Sequence, residues 1–144
     1  MEAPRTHQTI TILYGAFLAS SSVYILVSVF LQTTEWRPSM PQLAQPLLAG
    51  LLLIAVAFAA LVLWQKRILF SGDGARIKGD YRSFVMSRCV LWFALSEVPS
   101  ILGFVLFILT GNLVGMLALV AISAVSFTLA RPSLSQLEEL ERRL

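Results

Sequence analysis

The sequence predicts an all-α polytopic membrane protein with four transmembrane helices, both termini on one side, and a short amphipathic helix at the C-terminus. Three observations predict it. Hydrophobic residues make up 57% of the 144 residues and charged residues only 13%, about half the charged share of a soluble domain. The apolar residues gather into long uncharged runs, each of a length to cross about 30 Å of hydrocarbon. The basic residues stand beside these runs and, with four spans, nearly all fall on one side. Little chain is left over, so residues 1–131 read as one transmembrane domain and residues 132–144 as its tail.

The first span runs from Ile10 to Leu31, "ITILYGAFLASSSVYILVSVFL". A cleaved signal peptide would have a shorter apolar core and a more basic start than "MEAPRTHQ". Gly15 and Ala19, like Ala16 and Ser20, are four apart and form a small-residue face that another helix can approach closely. Residues 32–46 hold three prolines, a Glu35–Arg37 pair and Trp36. This is a short connection at the membrane surface, with Trp36 at headgroup depth.

The second span is Leu47–Trp64, made slender by its alanines and closed by Trp64 and the cations Lys66 and Arg67. Residues 66–82 form the longest polar connection, with a turn signal at Gly72-Asp73-Gly74. The segment lacks the pattern of a phosphate-cradling loop. It reads as a solvated stretch that sets Lys66, Arg67, Arg76, Lys78 and Arg82 against anionic headgroups.

The third span is Phe84–Leu109 and the fourth Leu113–Ala130. The link "TGN" between them is so short that these two helices must be antiparallel neighbours. The tail, "RPSLSQLEELERRL", offers Ser135 and Glu138 as a capping box and places Leu134, Leu137, Leu140 and Leu144 on one helical face. It is expected to lie on the membrane surface or to dock on a partner.

Charge sets the expected orientation. Arg5, Lys66, Arg67, Arg76, Lys78, Arg82, Arg88, Arg131, Arg142 and Arg143 share one side, and Arg37 stands alone on the other. The positive-inside rule puts both termini in the cytoplasm, with a bacterial inner membrane as the expected location. The net charge of +3 is therefore a membrane signal and no nucleic-acid signal. One cysteine and one histidine leave no disulfide framework within the chain, and no metal site or cofactor is expected. No cluster of polar groups resembles a catalytic constellation, so the expectation is a protein that is not an enzyme.

"ALSEVPSILGF", residues 94–104, places Glu97 near the middle of the third span, about 20 Å from its start at helical rise. No cation of the chain is expected at that depth. An unpaired carboxylate there costs several kcal/mol, about 3 or more, so Glu97 is expected as a neutral acid able to exchange a proton. Pro99 removes an N–H and presses on the Leu95 carbonyl, which predicts a kink. Ser96 and Ser100 flank the site as candidate proton-binding partners, and Gly103 allows close helix approach. The plainer reading is packing. A neutral Glu97 can bond to Ser20, Ser21 or Ser22 across the bundle, worth about 0.6–2 kcal/mol.

The stretch from Gly74 to Gly111 resembles the carboxylate-bearing helix of the rotary ATPase proteolipid, the c subunit. Ala94, Leu95, Glu97, Gly103, Phe104 and Val105 match that family's pattern, and the direction from cytoplasm outward agrees. The resemblance implies that Glu97 binds a transported proton. Sodium-binding members add a glutamine and further oxygens, and here only Ser96 and Ser100 are available. The match covers one helix of four, as in a small four-span membrane protein of unassigned function that shares this helix pattern. The leading expectation is a protein that sits in the bilayer and assembles with other membrane subunits or with itself. The alternative is a proteolipid-like subunit that binds or moves H+ through Glu97.

Overall fold

The computed structural model describes residues 2–71 and 80–143. Among these the chain is all-helical: α1 (Ala3–Gln32), a single 3-10 turn (Pro41–Leu43), α2 (Ala44–Ser71), α3 (Tyr81–Thr110), α4 (Leu113–Ala130) and α5 (Leu134–Arg142). The first four α-helices are long and apolar enough to cross a membrane.

The fourth span has the bounds read from the sequence, but α1, α2 and α3 run past their apolar limits. Bilayer thickness limits the apolar run, whereas a helix continues for as long as its end groups find partners. At the start of α3 the Asp80 carboxylate accepts from the Ser83 N–H at 3.1 Å. Between α3 and α4, Gly111 takes a left-handed φ of 70° and its N–H caps the Phe107 carbonyl. Asn112 then caps α4 by accepting from the Gly115 N–H at 2.9 Å. Thus "TGN" ends one helix and begins the next within two residues.

The α3–α4 hairpin is the centre of the bundle. Helices α1 and α2 each pack on it and make little or no contact with each other. Gly103 marks the tightest approach: a Cβ there would meet Leu119 Cβ at 3.0 Å and the Met116 carbonyl at 3.1 Å. Toward the termini the core is aromatic, with Trp92, Phe93 and Phe127 buried and Phe17 against them. At the far end Trp36 stacks on Phe107 at 5.1 Å. Large apolar side chains such as Leu26, Phe30, Leu53 and Val114 cover the outside, as contact with lipid tails requires.

The tail forms the expected short helix and finds a packing partner within the chain. α5 packs on α1 of its own chain, burying Leu137 and Leu140 in a cluster with Ala3, Ile10 and Leu69. The capping box is Ser133 with Gln136, two residues earlier than Ser135 with Glu138. Arg131 holds extended backbone before Pro132, so Ser133 is the first residue free to cap, and the Ser135 hydroxyl bonds to it at 3.0 Å. Leu134 is exposed, and Leu144 lies outside the described residues.

The Glu141 carboxylate of α5 caps α1, accepting from the N–H of Glu2 at 2.8 Å and of Ala3 at 3.2 Å. The bond from Glu2 above all, and the one from Ala3, hold this carboxyl below the usual carboxylate range. A lowered native value means the cap contributes above the ordinary carboxylate pKa and is lost as pH falls through the native one. Hydrogen exchange in α5, corrected for intrinsic rates, should hold steady at neutral pH and rise as pH falls below the ordinary carboxylate range. Glu141→Gln should remove this acid step; an unchanged step would show that another group is responsible.

Candidate functional site: a polar seam in mid-bundle

Glu97 lies where α1 crosses α3, half-buried. The Ser20 hydroxyl donates to Glu97 Oε1 at 2.6 Å, and the Tyr24 hydroxyl donates to the same oxygen at 3.4 Å. Ser20 and Tyr24 are one turn apart on α1, so both present to one partner. Oε2 has no hydrogen-bond partner among the described residues.

Further hydroxyls extend the seam across the bundle. Ser21 meets Ser100 at 3.2 Å, and Ser96 meets Ser126 of α4 at 2.9 Å. Ser123 donates to the Ser96 backbone carbonyl. That carbonyl adjoins the one Pro99 deprives of its donor, so α4 supplies a hydroxyl where the α3 ladder is interrupted. Helix α3 runs on through Pro99, which is buried.

Sequence reasoning grouped Glu97 with Ser96 and Ser100, but the bonds do not join them. Both serines are fully buried and spend their hydroxyls on α4 and α1. Adjacent residues on a helix point about 100° apart, so Ser96 turns toward α4 while Glu97 faces α1. Tyr24 was missed. Its four-residue spacing from Ser20 was the available signal, hidden because tyrosine in an apolar span reads as an interface anchor.

Toward the termini the seam is closed by aromatic rings. Phe17 lies 5.8 Å from both Phe93 and Phe127. Beyond them a second polar group forms, in which Arg131 donates to Thr11 at 2.9 Å and covers the Tyr14 ring, and Tyr14 bonds to Thr128 at 3.2 Å.

The other candidate residues are spread out. Gly103 is buried between α3 and α4, whereas Gly15 and Ala19 face outward, with nothing within 4 Å of a Cβ on Gly15. Arg67 and Arg82 are exposed at the end of the bundle that holds the termini. Lys66 is turned inward and donates to the carbonyls of Leu129 at 2.7 Å and Arg131 at 2.9 Å, which closes the end of α4. Arg76 and Lys78 lie outside the described residues. Among the described residues, no three of His, Cys, Asp and Glu gather as a metal site would need. No protein-family model, curated protein or solved structure matches the chain.

Proposed function

We propose that this is a small integral membrane protein that works by assembling with other membrane subunits or with copies of itself. The outer face of α1 carries the reading. Gly15, Ala16 and Ala19 lie on it, and no described helix of the chain covers Gly15. Small residues let a second backbone approach closely, which is how helices gain contact in lipid. Arg5, Lys66, Arg67, Arg82, Arg88, Arg131, Arg142 and Arg143 near the end with both termini, against Arg37 at the other, support cytoplasmic termini in a bacterial inner membrane. The test is cross-linking in native membranes, with Cys89→Ser as background because Cys89 is the one native thiol. Ala19→Cys should give a discrete higher-mass product and Leu53→Cys, on the exposed face of α2, should not. Equal yields, or none at Ala19→Cys, would overturn this assignment.

A second reading, proton binding or translocation through Glu97, is favoured by one observation. Both hydroxyls converge on Oε1 and leave Oε2 of a half-buried acid without a partner among the described residues. A neutral Glu97 would carry its proton on Oε2, where a path supplied from outside the chain can reach it. A lipid-soluble carbodiimide, which reacts with protonated carboxyls, reads that exchange.

A further inference from the structure

We propose that the groove between α2 and α3, at the end holding the termini, binds the phosphate of one anionic phospholipid. The groove has a volume of about 320 Å³ and is lined by Trp64, Gln65, Ile68 and the buried Leu69 from α2 and by Phe84, Arg88 and Trp92 from α3. Two of these groups select an anion. The Arg88 guanidinium lies over the Phe84 ring, 5.5 Å from its centroid, and among the described residues it has no carboxylate partner. Gln65 accepts the Trp92 indole N–H on Oε1 at 3.1 Å. That bond fixes which end of the amide is the oxygen and leaves the NH2 as the end with protons to give. Among the described residues, no acidic side chain lines the groove.

Depth makes the ligand a lipid. Arg88 is nine residues before Glu97 in α3, about 13 Å along the axis. Half of a hydrocarbon core of about 30 Å is about 15 Å, so with Glu97 at the centre Arg88 stands at the boundary where phosphates lie. Trp64, largely exposed, stands about one turn deeper, beside the Gln65 that bonds Trp92, where an indole fits below the headgroups. Trp92, one turn nearer Glu97 than Arg88, and Trp64, beside the Gln65 that bonds it, give the groove an apolar wall on the membrane side of Arg88, which suits glycerol and the first methylenes of an acyl chain and would be wasted on a soluble anion. Basic pockets between membrane helices on the cytoplasmic side are the usual form of such sites.

The experiment uses the full chain with Trp36→Phe, leaving Trp64 and Trp92 as reporters, in phosphatidylcholine vesicles. Phosphatidylglycerol or phosphatidylcholine with brominated chains is titrated in, and tryptophan quenching gives their relative affinity. Phosphatidylglycerol should be preferred, and Arg88→Gln should reduce that preference about fivefold, the effect of one cation near the surface. Arg82→Gln removes the same charge outside the groove and should leave it nearly unchanged, while Arg88→Lys should retain it and so exclude misfolding as the cause of the loss. Equal quenching by the two lipids, an equal fall in Arg82→Gln and Arg88→Gln, or loss in Arg88→Lys would overturn the site. Competition by inorganic phosphate would do so too, since the ligand would then be a soluble anion.

Discussion

Gly103→Leu should force α3 away from α4 and destabilise the bundle by about 3 kcal/mol, the upper end of overpacking costs. A Cβ at this position meets Leu119 Cβ at 3.0 Å, the Met116 carbonyl at 3.1 Å and Met116 Cα at 3.4 Å. Two of these atoms are backbone and cannot swing aside. A leucine adds three further carbons into the same space, so the helices must part. Helices in lipid hold together mainly by close packing, and this hairpin is the element on which α1 and α2 rest. Gly103→Ala is the control. Its contact requires a shift of a few tenths of an ångström, and its better helix propensity offsets about 1 kcal/mol of the cost. Unfolding in a denaturing-detergent titration should therefore separate the two variants clearly. A leucine variant as stable as the native chain would show that α3 and α4 can slide apart freely.

Carbodiimide labelling in native membranes should modify Glu97, with the label absent in Glu97→Gln. The expectation rests on the half-buried position and on Oε2, which has no partner among the described residues. The reagent reacts with the protonated form and reaches it through lipid. Tyr24→Phe and Ser20→Ala remove the donors to Oε1 and make a useful pair. Ser20 gives the shorter bond, at 2.6 Å against 3.4 Å for Tyr24, so its loss should change labelling more. Absence of label would make Glu97 a packing acid that ties α1 to α3. Proton handling would then fall, while assembly through α1 would still stand on its own cross-linking test.

The site was half legible in the sequence. A lone acid inside an apolar run is conspicuous because its burial is costly, so Glu97 stands out from the order of residues alone. Gly103 and Pro99 stand out for similar local reasons, one lacking a side chain and the other lacking an N–H. The partners of Glu97 were not legible in the same way. Ser20, Ser21 and Ser22 are consecutive, and rotation of α1 about its axis selects among them. The structure sends Ser20 to Glu97 and Ser21 to Ser100, and returns Ser22 to the Leu18 carbonyl of its own helix.

By itself the sequence determined the number of helices long and apolar enough to cross a membrane, their order, and the antiparallel pairing of α3 with α4. Hydrocarbon thickness and the absence of water in the bilayer leave an uncharged run of this length few other forms. Tertiary structure alone decided how each helix is rotated and which side chains it sets against its neighbours. It chose Ser20 among the α1 serines for Glu97, turned Lys66 inward onto the end of α4, and folded α5 back so that Glu141 caps α1. The reason is physical. Burial in lipid constrains each helix separately through its own residues, whereas rotation and docking depend on side-chain packing between segments far apart in the chain.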